Sequence, residues 1–235
     1  MIILRLKEDS AVSKNSKGKF FSSRKGKTQI LDYSRSGIVV NGKPHFVVSV
    51  SKETLCKDEF RNLLKNYKGE LVVSEELEND EFVSELIFDN KPYLKKAVFE
   101  SFYRFLTNGN FRDCNLLIFD ENFMFKNKLC GIIPYVKSLT VIVKSNFDYL
   151  LWQGSCFAEY GVKPLVLEKE PESLDSFDII ANFNEFADER VVVSVKNQNQ
   201  SFYPDYKYLQ VPDELKILEG YNVKNSLLCA AFKQI

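Results

Sequence analysis

Polar side chains directly follow several apolar runs of this 235-residue chain, and their types suit ligand binding. Asp120 follows the run Leu116–Phe119, and Glu168 ends a run that begins at Pro164. Carboxylate, amide, hydroxyl and ammonium groups can orient a small polar ligand at the mouth of a crevice. No residue has a pattern that assigns it a catalytic role. The predicted ligand-binding residues are Asp120, Lys144, Ser145, Asn146, Glu168, Asn182 and Asn184.

The predicted ligand-binding residues would lie close together if the apolar runs that they follow are neighbouring parallel strands. Residues 139–168 contain an apolar run, a helix-like stretch that ends before Gly161, and a second apolar run. This order is typical of a βαβ unit, in which the two strands are parallel. In open α/β sheets, ligands bind in the crevice beyond the carboxyl ends of the strands. The pattern therefore predicts that the residues following each strand line a common crevice.

The βαβ unit and the later run Asp178–Asn182 resemble the dinucleotide-binding domains of the Rossmann-like superfamily, over roughly residues 70–235. In that family the turn after the first strand reads G-x-G-x-x-G, so that the backbone can approach a pyrophosphate. Here residues 144–149 read KSNFDY, without a glycine. The resemblance implies the fold but not the cofactor. We predict no cofactor, and no appreciable binding of NAD, NADP or FAD.

Glu168 has a position that the same family uses. It follows the turn by about 20 residues, where the family places an acid that binds a ribose hydroxyl. The simpler interpretation is a solvated acid at a strand end, and we favour it because an isolated piece of a motif often matches by chance.

Three further partial motifs do not support an enzymatic assignment. Tyr203 and Lys207 have the Y-x-x-x-K spacing of short-chain dehydrogenases, but a proline between them favours a loop over the helical turn that this pair requires. Residues 26–28, GKT, lack the earlier glycine of a phosphate-binding loop. The single histidine, His45, excludes a histidine-rich metal site, and we predict no bound metal.

The first 52 residues carry eleven Lys or Arg against three acids, although the whole chain has 32 of each sign. The segment thus has a net charge of +8 (11 − 3), and the remainder has −8. Its basic residues either bind anions, including nucleic acid without sequence specificity, or pair with the acidic remainder, which we favour. We expect residues 10–27 to be mobile and dispensable for folding. The predicted anion-binding residues are Lys14, Lys17, Lys19, Arg24, Lys25 and Lys27.

Composition is typical of a globular protein, and we expect a bacterial, cytoplasmic one. Hydrophobic residues make up 45% of the chain, and no apolar run approaches the roughly 20 residues needed to cross a bilayer. The five cysteines are scattered and include no C-x-x-C pair. This spacing indicates a reducing compartment, in which each thiol packs as a small apolar side chain.

Local patterns place the main elements. Asn41-Gly42 joins two β-branched runs and predicts a hairpin, because both residues tolerate positive φ. From residue 53 onward, helical and strand-like patterns alternate. The later predicted helices are 93–106, 123–136 and 223–232, and the predicted strands after residue 170 are 178–181, 190–195 and 208–211.

These patterns predict an α/β fold with a doubly wound, mostly parallel, Rossmann-like sheet over residues 53–235 and a small β-rich N-terminal module over residues 1–52. The predicted function is non-catalytic: binding, regulatory or structural, with association into a homo-oligomer or with a protein partner. Specific nucleic-acid recognition and membrane insertion are not expected. The alternative is an enzyme or small-molecule binder that uses the carboxyl-end crevice without a conventional dinucleotide.

Overall fold

A computed structural model describes residues 1–6, 33–40, 42–144 and 149–233. Its strands β1 to β10 are Ile2–Leu6, Tyr33–Val40, Lys43–Val50, Leu71–Val73, Phe111–Phe119, Val136–Ile142, Leu165–Leu167, Ile179–Asn182, Val191–Val195 and Gln198–Phe202. Its helices α1 to α8 are Lys52–Leu55, Asp58–Lys65, Glu81–Ser84, Lys91–Asn108, Lys126–Leu129, Leu150–Tyr160, Tyr206–Leu209 and Asn225–Lys233. Three 3-10 segments are Glu75–Leu77, Cys130–Tyr135 and Asp213–Tyr221. In the described part of the chain, no helix is long and apolar enough to cross a membrane.

Two groups of predicted residues lie outside the described ranges. Ser145 and Asn146 belong to the first group, which adjoins the start of α6. The second is the basic segment, including the predicted mobile loop 10–27 and Lys14, Lys17, Lys19, Arg24, Lys25 and Lys27.

The chain divides into two compact units, and the predicted α/β class is confirmed because each unit is built on one mostly parallel sheet. The first unit contains residues 1–90 and 209–235, and the second contains residues 91–208. The first unit is therefore discontinuous in sequence. The boundary predicted after residue 52 falls inside it, at the start of α1.

The sheet of the first unit has the strand order β2-β3-β1-β4. Strand β1 is parallel to both β3 and β4, whereas β2 and β3 form the predicted hairpin. Val40 pairs with Lys43, and Gly42 has a φ of 74°, as a two-residue turn requires. On one face Leu4 packs in a cluster with α1 and α2, and on the other Ile3 packs in a cluster with α8. Both faces of this sheet are thus covered.

The sheet of the second unit has the order β10-β9-β8-β5-β6-β7. Strands β8, β5, β6 and β7 are mutually parallel, β9 pairs antiparallel with β8, and β10 pairs antiparallel with β9. The chain runs outward from β5 through β6 to β7 and then returns to β8 on the other side of β5. Strand order therefore reverses between β5 and β8. We compared the turn at 144–149 with the turn after the first strand of a dinucleotide-binding sheet. The βαβ unit β6–α6–β7 does not begin this sheet, because β5 precedes it in the chain and lies at the centre of the strand order.

An aromatic core covers one face of this second sheet. Phe99 of α4 stacks on Phe125 with ring centroids 4.2 Å apart, and both rings contact Phe183 at the end of β8. Alternate residues of β5, including Leu116 and Ile118, face the same cluster. The helix predicted at 93–106 is confirmed as α4, which fixes this aromatic layer beside the carboxyl end of β5.

Two local predictions are wrong, and one strand was missed. The helix predicted over residues 123–136 is only α5 and a 3-10 segment, because Pro134 cannot donate to a regular helix. The strand predicted at 208–211 overlaps α7 instead. Strand β10 was not predicted, since its two-residue turn is Lys196-Asn197, and a lysine with a φ of 48° is not a usual turn signal.

The expectation of five unpaired cysteines is also wrong. Cys130 and Cys156 form a disulfide with their Cα atoms 5.5 Å apart, and it links the crossover before β6 to α6. Cys56, Cys114 and Cys229 are not in disulfides. The two partners are 26 residues apart in sequence, so no short spacing motif signals the pair.

We expect reduction of the Cys130–Cys156 disulfide to lower the free energy of unfolding by about 3 kcal/mol, because the cross-link restricts the unfolded chain. Urea denaturation with and without reductant measures the effect. The double variant Cys130→Ala/Cys156→Ala is the control, since reductant should leave its midpoint unchanged. An identical midpoint for oxidised and reduced wild type would contradict the expectation.

Candidate functional site

Asp120 closes the turn that follows the central strand of the second unit. Its side chain is 3% exposed, and its two carboxylate oxygens accept the backbone N–H groups of Met124 and Phe125, at 3.0 and 2.9 Å. The N–H of Phe123 donates to the Asp120 carbonyl at 2.8 Å. Phe123 has a φ of 49°, which is unfavourable for an aromatic residue. These hydrogen bonds hold the turn in a conformation that its residue types would not otherwise favour.

The electrostatics of Asp120 reflect both its burial and its partners. Burial raises the pKa of its carboxyl group, and the hydrogen bonds from Phe125 and Met124 and the charge of Lys95 oppose that rise. In dinucleotide-binding sheets, backbone N–H groups after the central strand receive the pyrophosphate. Here the Asp120 carboxylate already accepts two such groups.

The structure brings four of the predicted ligand-binding residues to one edge of the sheet, around Glu121. The Lys144 ammonium group pairs with the Glu121 carboxylate at 2.9 Å. The Asn184 side-chain oxygen accepts the Glu121 N–H at 3.1 Å, and Asn182 in turn accepts the Asn184 N–H at 3.0 Å. Lys144, Asn182 and Asn184 are thus joined with Glu121 into one network, and Asp120 precedes Glu121 in the chain. Their role in binding a ligand stays a prediction.

Glu168 stands apart from this network. It is exposed and follows β7, which is separated from β5 by β6. Two strand spacings place it roughly 10 Å from the end of β5. Its predicted position at the carboxyl edge agrees with the parallel register of β6 and β7, but the described residues include no hydrogen-bond partner for it.

Glu121, which organises the network, was missed at the sequence level. Its only sequence signal is that it follows Asp120 directly after a predicted strand. Phe123 and Phe125 were also missed as site residues, and both side chains pack into the aromatic core. The Phe123 ring contacts the ring of Trp152 edge-on, at 5.0 Å between centroids. The turn after β5 is thus filled by the protein's own carboxylate and aromatic side chains.

A second polar cluster lies along α4. Arg104 forms an ion pair with buried Asp205 at 2.7 Å, and Glu100 forms an ion pair with Lys128. The hydroxyl of Tyr93 donates to the carbonyl of Tyr208. Burial lowers the pKa of the Lys128 ammonium group and raises that of the Tyr208 hydroxyl.

The segment with the Y-x-x-x-K spacing at 203–207 adjoins this cluster. The N–H of Asp205 donates to the carbonyl of Ala97 within α4, and the Asp205 carboxylate accepts the N–H of Lys207. The segment is therefore fixed to α4, while the Tyr203 side chain is 55% exposed. The charges of the cluster are thus paired within the second unit.

Helix α6 presents an unusual outer surface. Cys156 faces the core, and Trp152 donates its indole N–H to the carbonyl of Lys126 at 2.7 Å. At about 100° per residue, the opposite arc of the helix contains only apolar side chains and a glycine. Leu150 and Leu151 are 71% and 76% exposed, and Phe157 is 53% exposed. We define the α6 face as Leu150, Leu151, Gly154, Phe157 and Ala158.

The described residues include no group of three His, Cys, Asp or Glu side chains that could hold a metal ion. No protein-family model matches the chain, and no curated protein or solved structure is significantly similar to it.

We expect Asp120→Ala to lower the free energy of unfolding by about 2–4 kcal/mol, because two buried N–H groups lose their acceptor. Urea denaturation measures the change. Asp113→Ala is the matched control, since Asp113 is exposed on the same strand and its loss should cost no more than about 0.5 kcal/mol. Equal effects of the two substitutions would show that Asp120 does not hold the turn.

The pH dependence of stability should also report on Asp120. Its pKa in the folded protein is raised above the ordinary value of 3.8, so the folded state binds this proton more tightly than the unfolded chain. The resulting stabilisation is complete below the unfolded pKa and is lost as pH rises through the folded pKa. Relative to Asp120→Asn, wild type should therefore lose stability as pH increases from below the ordinary aspartate pKa to neutrality. A difference that grows in the opposite direction would contradict the assignment.

Proposed function

We propose that this protein is a non-catalytic, Rossmann-like binding protein that self-associates through the α6 face of its second unit. The parallel strand order β7-β6-β5-β8 supports the Rossmann-like assignment, because it corresponds to the order 3-2-1-4 of that fold. The exposed apolar α6 face is the single observation that carries the proposal. An uncovered face of this kind is a common signature of an interaction surface.

The turn after β5 argues against a dinucleotide as the ligand of this unit. Residues 120–125 read DENFMF, so this turn lacks glycine as completely as the turn at 144–149. A phosphate would have to displace the buried Asp120 carboxylate from its two N–H donors and would meet the charge of Glu121. These features support a binding role that does not use the pyrophosphate site.

The size of the α6 face suits a weak protein interface. Its side chains expose on the order of 400 Å² of apolar surface, within the range of about 300–600 Å² found for the largest such patch on a monomer. A standard interface buries about 800 Å² per partner, of which the apolar centre is one part. The α6 face can therefore supply the centre of an interface, with surrounding polar residues as its rim.

A second copy of this chain fits the chemistry of the face best. Glu159 is the only charged residue of α6, and it lies outside the apolar arc, so two faces can meet without placing like charges together. Gly154 lies at the middle of the arc, and a Cβ added there would meet no atom within 4 Å. Two antiparallel copies of α6 could thus approach closely around a two-fold axis, which is the usual symmetry of homodimers.

The alternative function is binding of a small molecule at the edge formed by β5 and β8. The exposed Lys144–Glu121 ion pair favours it, because a charged ligand could replace either partner. Such a ligand would bind whether or not the α6 face is intact, which separates the two candidates.

We expect wild type to dimerise with a dissociation constant in roughly the micromolar range, as weak interfaces do. Leu151→Glu should remain monomeric, because a carboxylate on the α6 face would be buried in the interface without a partner. Sedimentation velocity over a concentration series measures both. Leu63→Glu is the matched control, since it changes an exposed leucine on helix α2 of the first unit.

The outcomes separate clearly. Dimerisation of wild type and of Leu63→Glu, together with loss of the dimer in Leu151→Glu, would support the α6 interface. A wild type that stays monomeric at about 200 μM, far above the expected dissociation constant, would overturn the proposal. Equal loss in both variants would place the interface elsewhere.

A further inference from the structure

A row of polar residues crosses the sheet of the first unit near its carboxyl edge. Ser34 pairs with Ser49 across β2 and β3, and Ser49 pairs with Arg5 across β3 and β1. Ser74 follows β4 directly with extended backbone, and its N–H donates to the carbonyl of Leu4 at 2.9 Å. It therefore stands beside Arg5. We call Ser34, Ser49, Arg5 and Ser74 the carboxyl-edge row.

The register fixes the face on which this row lies. Two residues earlier in each strand, Val47, Ile3 and Val72 form a buried row that packs with α8. Because strand side chains alternate between faces, the carboxyl-edge row lies on the same face and is the last row before the strands end. An apolar layer is thus followed by a layer of three hydroxyls and one guanidinium group.

The Arg5 guanidinium is held in position but keeps donors available. Its Nε donates to the Ser49 hydroxyl at 2.8 Å, and its Cζ lies 4.8 Å from the ring centroid of Tyr221. No carboxylate within the described ranges pairs with it. A stacked, planar guanidinium with free terminal nitrogens is arranged to bind an anion through two parallel hydrogen bonds.

The buried hydroxyl of Ser74 is a second, independent indication that this site binds a ligand, because it lacks a hydrogen-bond partner among the described residues. Its side chain is 1% exposed, and its hydroxyl oxygen has no hydrogen-bond partner. Such a buried group costs about 1–3 kcal/mol unless it finds a partner. The next residue, Glu75, donates its N–H to the carbonyl of Asn222 at 2.8 Å, which ties the segment after Tyr221 to this strand end.

We propose that the carboxyl-edge row binds a phosphate group, either as inorganic phosphate or as part of a phosphomonoester. Arg5 binds two of its oxygens, and the hydroxyl of Ser74, its neighbour in the row, donates to a third. The two donors come from neighbouring strands and lie on the same face of the sheet, so one anion above that face can accept from both. This site belongs to the first unit and goes beyond the self-association proposed for the second.

Isothermal titration of the full chain with inorganic phosphate at low salt tests the proposal. We expect binding by wild type, a loss of at least about tenfold in Arg5→Gln, and a loss of about fivefold to tenfold in Ser74→Ala. Arg61→Gln is the matched control. Arg61 also donates through Nε, to the Leu55 carbonyl at 3.1 Å, and lies 5.0 Å from the Phe82 ring, but it stands outside the row.

Phenyl phosphate, titrated in parallel, distinguishes the two sources of the group. Tighter binding of phenyl phosphate would assign the site to a phosphomonoester, and equal or weaker binding would assign it to free phosphate. Absence of phosphate binding to wild type at about 50 mM would overturn the proposal, since the site would then be too weak to fill. Wild-type affinity in folded Ser74→Ala and Arg5→Gln would overturn it as well. So would loss of binding only in Lys25→Gln/Lys27→Gln, which would assign the anion to the basic segment.

Discussion

The buried carboxylate of Asp120 is the interaction on which the second unit depends. It ties the end of the central strand to the turn that follows and holds Phe123 at a positive φ. That turn places Phe125 against Phe99 of α4, so the aromatic core and the strand end are fixed together. Burial of the charged carboxylate is unfavourable by itself, and its two hydrogen bonds offset part of that cost. Without the Asp120 carboxylate, the N–H groups of Met124 and Phe125 would lack an acceptor, and the conformation of the turn would lose these two stabilising hydrogen bonds.

The two units differ in how they use the carboxyl ends of their strands. In the second unit, the Asp120 carboxylate accepts two backbone N–H groups of that edge, and the Glu121 carboxylate pairs with the Lys144 ammonium group. In the first unit, Arg5 retains free nitrogens and Ser74 an unpartnered hydroxyl. At the carboxyl edge of the second sheet these polar groups are therefore paired with one another, whereas in the first sheet some of them lack a partner within the described part of the chain. This contrast is why we assign anion binding to the first unit and self-association to the second.

The sequence predicted features that depend on neighbouring residues, and it failed where distant residues meet. The hairpin at Asn41-Gly42, helix α4 and the polar residues after β5, β6 and β8 follow from local patterns. The central place of β5 depends on pairing with β8, whose residues lie more than 60 positions later, and periodicity carries no information about it. The Cys130–Cys156 disulfide and the row of Ser49, Arg5 and Ser74 likewise depend on strand order. The turn at Lys196-Asn197 was missed because its residues are unusual for positive φ.

Self-association through the α6 face is the central claim, and cross-linking at Gly154 tests it most directly. In a two-fold pair of antiparallel helices, a cysteine at this position would face its own copy. In a Cys56→Ser background, which removes the exposed free thiol, we expect Gly154→Cys to form a disulfide-linked dimer on mild oxidation. Glu159→Cys, outside the apolar arc, should remain monomeric on non-reducing electrophoresis. Failure of Gly154→Cys to cross-link, or equal cross-linking of both variants, would contradict the claim.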